Sequence, residues 1–283
     1  MRWFIVILAL YASQVFAETS LWRVSDGANV LFLGGTIHVL SKDDYPLPAA
    51  FDKAYAQSGK LVFETDVGAS QDPAFAQAMM QRMMFTDGNS LKTVLRADVY
   101  QQLQAFGAER GLPMQMLERM RPPLAVLTLT FMELQRMGMA GAGVDSYYFH
   151  KAQADKKSLG MLETTAEQLD FLVNMGRGRE NDFVSYSLRD LRKLAQVMRD
   201  MKSAWRDGKP DALAALGMDT MRKDFPAIYQ QLLVQRNRNW VPKIDAMLHD
   251  PGTELVLVGA LHLVGEEGVL AALRAKGYRI QQW

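Results

Sequence analysis

Apolar and polar positions along this chain follow two rhythms, and each change of rhythm marks an element. Near the start, Leu21-Trp22-Arg23-Val24 and the run over 29–39 flank Ser25-Asp26-Gly27-Ala28. An Asp-Gly pair between apolar runs is a strong hairpin signal, so two antiparallel strands are predicted here. Residues 60–66 place Leu61-Val62-Phe63 ahead of Glu64-Thr65-Asp66 and read as the next strand. Residues 158–163 read as a third, 254–261 as a core strand and 277–280 as a short final one. Short apolar runs bounded by turn residues are the mark of buried strands. Elsewhere the period lengthens. Residues 48–58 predict a helix with Phe51, Ala54 and Tyr55 on one face. Residues 73–136 are helical, divided at Pro113 and Pro122-Pro123 because proline cannot sit in a helix interior without breaking it. Met79, Met80, Met83 and Met84 crowd one of these helices and read as adaptable core packing. A flexible loop is expected over 138–143, then a helix to about 155. Thr164-Thr165-Ala166-Glu167 has the form of a capping box opening a helix through Met175. Further helices are expected over 181–207, 210–248 and 266–276.

Strands therefore gather toward both ends of the chain, with long helical stretches between them. The expected fold is α/β (α+β-like): a small mixed β-sheet formed from N- and C-terminal segments, with a large helical insert packed around it. Cutting the chain in the middle would split such a sheet, so residues 18–283 form a single domain. The length and the 49% hydrophobic content are ample for a sizeable core.

Residues 1–17 follow a different pattern. Arg2 precedes the apolar stretch 3–12, and Val15-Phe16-Ala17 resembles a small-x-small cleavage site before Glu18-Thr19-Ser20. This is the layout of a secretory signal peptide cut after Ala17, so the mature chain is expected to be periplasmic or secreted, without a stable membrane span after cleavage. There is no cysteine, so the fold rests on its core alone. With 32 basic and 31 acidic residues, the chain lacks the basic excess of a nucleic-acid binder. The expected partner is a peptide or small-molecule ligand.

Two apolar runs end alike. Leu31-Phe32-Leu33-Gly34-Gly35-Thr36-Ile37-His38 and Leu255-Val256-Leu257-Val258-Gly259-Ala260-Leu261-His262 both finish Gly-x-x-His, and they hold two of only four histidines. Each delivers an imidazole to the rim of a sheet, where α/β proteins bind ligands. Glu64, Asp66 and Glu163 also lie at strand ends. Imidazole and carboxylate together suit a divalent transition metal. His38 and His262 are the expected ligands, Glu64 a third ligand or a general base, and Asp66 or Glu163 a partner that orients an imidazole. Arg236 shares a helix face with Trp240 and Ile244. If those two pack inward, Arg236 needs an anion, and it either holds a site carboxylate or stabilises a developing oxyanion. His150 and His249 read as surface residues. No Walker loop, GxSxG or HExxH occurs.

The ordered set Phe32–His38, Tyr45-Pro46-Leu47-Pro48, Phe63-Glu64-Thr65-Asp66, Gly143-Val144-Asp145, Leu162-Glu163-Thr164, Arg236-Asn237 with Trp240, and Val258–Gly265 resembles the TraB/GumN family, related to the Tiki proteins. The resemblance runs over roughly residues 20 to 283. It implies a fold similar to erythromycin-esterase-like and ChaN-like proteins. Tiki members are metal-dependent proteases that use two G-x-x-H motifs and an acidic residue. Carried across, this points to His38, Glu64 and His262 as metal ligands, to Mn²⁺ or Co²⁺ as the ion, and to Arg236 and Asn237 as supporting residues. The expected activity is that of an exported metal-dependent hydrolase cleaving a peptide bond. Because ChaN-like relatives bind haem, the alternative is a haem-, peptide- or signal-binding protein using the same pocket.

Overall fold

The computed structural model describes residues 19–283, so the expected signal peptide at 1–17 lies outside the described residues. Among the described residues eight strands are present: β1 (Leu21–Ser25), β2 (Val30–Thr36), β3 (Val39–Leu40), β4 (Lys60–Phe63), β5 (Gly141–Ala142), β6 (Ser158–Met161), β7 (Glu254–Gly259) and β8 (Arg279–Gln282). Six of them form one mixed sheet in the order β6-β4-β7-β2-β1-β8, and β3 pairs with β5 in a separate ribbon.

The Asp-Gly turn folds β1 back onto β2, with Leu21 opposite Gly34. β7 then returns from the far end of the chain and pairs parallel with β2, Phe32 against Leu255 and Thr36 against Gly259. On its other side β7 pairs parallel with β4, and β4 with β6. The four neighbours β6, β4, β7 and β2 thus run the same way and end along one edge. Parallel strands are covered on both faces and read as continuous apolar runs. This is why Leu31, Phe32 and Leu33 in β2 and Leu255–Val258 in β7 are buried without alternation. Trp205 anchors the helix Leu194–Arg206 to this core: its Nε1 donates to the Gly35 carbonyl at 2.6 Å, and its own carbonyl accepts from the Ser20 hydroxyl at 2.9 Å.

The helix Ala49–Gln57 buries Phe51, Ala54 and Tyr55, as its periodicity requires. Other expectations need correction. The strand expected over 29–39 stops at Thr36, so His38 leaves the sheet. The loop at 138–143 is not flexible spacer, since β5 within it pairs with β3 just past His38. The expected strands at 60–66 and 158–163 end at Phe63 and Met161, although Glu163 N–H still donates to the Glu64 carbonyl at 2.7 Å. The helices expected over 210–248 are present as a series of shorter segments. The stretch breaks at Met218 and at Phe225, where Pro226 opens a new turn. Of the four clustered methionines only Met83 is buried and Met80 is exposed, because the helix Pro73–Met83 packs at the periphery, against the helix Thr165–Asn174. His150 and His249 are exposed, as expected.

Gly143 is where the helix Val144–Ala154 meets the loop carrying His38. Val144 N–H donates to the Ile37 carbonyl at 3.1 Å, and a Cβ on Gly143 would lie 2.2 Å from the carbonyl carbon and oxygen of His38. Backbone cannot yield as a side-chain tip can. Gly143→Ala is therefore expected to cost about 2–3 kcal/mol in urea unfolding with an unchanged m-value. Parent-like stability would show that the contact is dispensable.

Candidate functional site

The shared strand edge collects the polar residues. His38 lies two residues past the end of β2, Glu64 directly follows β4, Glu163 lies just past β6, and His262 lies in the single turn Ala260–Leu263 after β7. Two helices complete the cluster. Val144–Ala154 carries Asp145 in its first turn, and Gln235–Met247 carries Arg236, Asn237 and Trp240. A π-helical turn, Gln230–Val234, leads into the latter helix. Such turns reset the register of the residues that follow and recur at functional sites. Trp240 and Ile244 are fully buried, which brings Arg236 to the sheet edge.

Arg236 is the hub. Its Nε and Nη2 donate side-on to both oxygens of Glu163, each at 2.9 Å. Nη2 also donates to Glu64 Oε2 at 2.7 Å, and Nη1 reaches His262 Nε2 at 3.2 Å. The guanidinium also lies 4.6 Å from the Trp240 ring centroid and 4.7 Å from that of Phe171. The indole N–H of Trp240 donates to Glu163 Oε1 at 2.9 Å, and Gly259 N–H donates to Glu64 Oε1 at 2.7 Å. Arg236 thus holds a site carboxylate, one of its two expected roles. The fork of donors used on Glu64, Glu163 and His262 leaves little of the guanidinium for an oxyanion.

The two imidazoles are held in opposite states. At His262, Nδ1 faces Asn237 Oδ1 at 2.7 Å, while Asn237 Nδ2 donates to the Glu267 carbonyl at 2.9 Å. That second bond fixes the amide orientation, so Oδ1 accepts and Nδ1 carries the proton. A guanidinium can only donate, so Nε2 presents its lone pair to Arg236 and His262 is neutral. Burial, which disfavours its charged form, pushes the His262 pKa down to about 3. At His38, Nδ1 faces Asp145 Oδ2 at 2.9 Å, and the other oxygen of Asp145 accepts from the Thr36 hydroxyl at 2.9 Å. A carboxylate accepts only, so Nδ1 donates and Nε2 is the free atom. The Asp145 charge draws the His38 pKa up to about 9, against the opposing cost of desolvation. The ring is 61% exposed, so solvent tempers this pull. Burial by itself would raise the Glu64 carboxyl, but Arg236, the His38 ring and the Gly259 N–H together hold it well below the usual carboxylate range. Burial also works against the charge on Arg236, but Glu64 and Glu163 outweigh it and raise the group further.

Gly259 explains how these groups come close. A Cβ there would meet Glu64 Oε1 at 3.2 Å, His38 Nε2 at 3.3 Å and His262 Cδ2 at 3.6 Å. Glycine keeps that shared space open. His38, Glu64 and His262 therefore converge, with Arg236, Glu163 and Asn237 around them. Asp66 does not join: its side chain turns away to cap the short helix Val67–Ser70, accepting from Ala69 N–H at 3.0 Å. The imidazole-orienting part expected of Asp66 or Glu163 falls instead to Asp145 and Asn237. Asp145 is the residue that sequence reasoning missed as a site member. Its signal was a carboxylate in the first turn after Gly143.

The fit to a metal ion is partial. His38 Nε2 and Glu64 Oε1 are 3.9 Å apart, somewhat wider than the roughly 3.4 Å between two tetrahedral ligands each about 2.0–2.2 Å from one ion. Both imidazoles also tie Nδ1 to an oxygen, as metal ligands do. The third donor is taken, since the lone pair of His262 Nε2 faces a guanidinium. No group of three or more His, Cys, Asp or Glu among the described residues is arranged to hold a metal. Beside the cluster opens a cavity of about 320 Å³, lined mainly by apolar side chains and by His38, Gly259 and His262.

A mixed sheet wrapped in helices, with a buried Arg–carboxylate–imidazole cluster at the carboxyl edge of its parallel strands, defines the class. The chain belongs to the TraB/PrgY/gumN family, whose model matches residues 20–282. It is 28% identical over 244 residues to the uncharacterized protein YbaP of Escherichia coli (strain K12), an alignment covering 85% of this chain and 86% of that one. The Shigella flexneri protein of the same name aligns with the same identity and coverage. No solved structure matches.

A neutral, buried His262 has a consequence for acid stability. The unfolded imidazole titrates near 6.5 and the folded one near 3, so between these values the unfolded chain binds more protons. The stabilisation is complete above 6.5 and is lost as pH falls, by about 2 kcal/mol at pH 5. Urea unfolding at pH 7 and pH 5 is expected to show this loss in the parent and not in His262→Gln. Equal losses would mean that His262 is not held neutral.

Proposed function

We propose that the protein is a hydrolase acting on a carbonyl group, with His38 as its base. The observation that carries this reading is the Asp145–His38 pair. Nδ1 is tied to a carboxylate at 2.9 Å while Nε2 opens toward Glu64 and the apolar cavity. The same pairing elsewhere orients an imidazole and stabilises it once it has taken a proton.

The steps balance without another reagent. As a water oxygen attacks the carbonyl carbon, His38 Nε2 takes one of its protons and the carbonyl π pair moves onto oxygen. Glu64 Oε1, 3.9 Å from Nε2, accepts a hydrogen bond from the O–H that the water keeps and orients the attack. When the tetrahedral adduct collapses, the C–N or C–O bond breaks and Nε2 returns its proton to the leaving atom. Arg236 is a positioning residue that keeps Glu64 ionised and His262 neutral. The likeness to Tiki proteases makes a peptide bond the preferred target.

The metal-dependent form of this reading places Mn²⁺ or Co²⁺ on His38 and Glu64, where an ion supplies Lewis acidity. It requires Arg236 to release His262 before a third protein ligand is available. Chelation separates the two forms. Hydrolysis of p-nitrophenyl acetate or of a fluorogenic peptide that survives excess EDTA assigns water activation to the dyad. Activity lost to EDTA and restored by Mn²⁺ or Co²⁺ removes His38 from the role of base.

The pH profile follows from the raised His38 pKa. Below it Nε2 is protonated and cannot accept, so kcat/KM is expected to climb along a single-proton limb between about 6.5 and 9. Asp145→Asn removes the charge that raises the pKa. Its limb should move to lower pH, and its plateau should fall by roughly 10²–10⁴-fold. His38→Ala should lose activity to a similar extent. An unmoved limb in Asp145→Asn, or no hydrolysis of any ester or peptide by the parent, would defeat the proposal.

A further inference from the structure

We infer that the cavity beside His38 selects substrates carrying an uncharged, apolar segment of about ten non-hydrogen atoms next to the scissile carbonyl. The inference rests on the hydrolase reading above for the word substrate, but the cavity's selectivity stands on its own observations.

The first is the wall. Leu194, Met198 and Met201 fall at i, i+4 and i+7 of the helix Leu194–Arg206 and line the cavity. Between them stand polar residues that bond to one another, Gln196 with both Asp200 and Arg199, while Ala204 and Trp205 at the helix end turn into the core. Leu134 and Leu233 line the cavity from two other segments. Methionine side chains adapt to irregular shapes, so this wall tolerates branching within an apolar class.

The second observation is the state of the polar groups. Among the described residues no Asp, Glu, Lys or Arg lines the cavity. Its two threonine hydroxyls spend their protons elsewhere, Thr36 on Asp145 and Thr130 on the Val126 carbonyl. His262 has both nitrogens engaged, with Asn237 and Arg236. Among the lining side chains this leaves His38 Nε2 as the nitrogen facing the space. A cationic ligand group entering past it would lose its hydration without gaining a partner, and an anion would meet none beyond the His38 ring itself, which is costly.

The third is size. About 320 Å³ at roughly 30 Å³ per water-sized atom accommodates about ten non-hydrogen atoms. That is the volume of a medium acyl chain or of a large apolar side chain.

Straight-chain 1-alkanols from butanol to decanol test the cavity without any scissile bond. Titrated calorimetrically into the full chain, they should gain about fourfold in affinity per added methylene. The gain should level off near ten non-hydrogen atoms. Octylammonium should bind at least about tenfold more weakly than octanol. Met198→Glu should weaken octanol by about tenfold or more, while Met198→Leu should hold it within about threefold. Thermal melting checks that both variants are folded. A flat alkanol series, or octylammonium binding as well as octanol, overturns the inference. The parent reading fails separately: graded alkanol binding with no turnover of p-nitrophenyl octanoate removes the hydrolase and keeps the cavity. Equal kcat/KM on the acetate and octanoate esters with a flat alkanol series does the reverse.

Discussion

The guanidinium of Arg236 ties the sheet edge to the helical layer. It bonds two carboxylates that end adjacent parallel strands and an imidazole that follows a third. Burying three charges costs several kcal/mol per ion, and attraction offsets that cost only when the geometry is good and the remaining donors and acceptors are filled. Here they are filled, by the Trp240 indole on Glu163 and by the Gly259 amide on Glu64. The cluster is therefore better understood as fixing one arrangement of groups than as a source of net stability. Remove the guanidinium, and two buried carboxylates would face each other unpaired.

That fixed charge divides the labour of the two histidines. They follow the same apolar run and the same Gly-x-x spacing, yet one is exposed beside a full negative charge and the other is sealed against a neutral amide and a cation. Environment alone makes one ring readily protonated and the other neutral. A pair of like groups pushed apart in this way is a frequent basis for acid–base roles. Both rings border the apolar cavity, but only His38 presents an uncommitted nitrogen to it, since His262 has both of its nitrogens engaged.

The cluster and the cavity also depend on each other. A low-dielectric wall strengthens each hydrogen bond at its border and raises the penalty for any left unmade. The hydroxyls of Thr36 and Thr130 are accordingly turned away from the cavity. The π-helical turn before Arg236 serves both, placing Leu233 in the cavity and Arg236 in the cluster.

Local pattern by itself determined the apolar strands, the Asp-Gly turn, the capped helix after Glu163 and the two imidazoles at strand ends. Each of these is written within a few neighbouring residues, because side-chain period and turn chemistry are short-range properties. It also made Glu64 and Glu163 visible as carboxylates at strand ends and Arg236 as a cation on the face of Trp240 and Ile244, whereas Asn237 came only from the family resemblance. It did not separate Glu64 from Asp66, two residues apart, one pointing into the cluster and the other capping a helix. Nor did it distinguish Met83 from the exposed Met80, since a helix's own pattern does not say how deeply it is buried. Only the tertiary structure decided that Asp145 orients His38, that Asn237 and Arg236 hold His262 neutral, and that the third lone pair expected for a metal is already engaged. These are contacts between segments far apart in the chain, and their energies depend on distance and burial that only the assembled sheet and helices define.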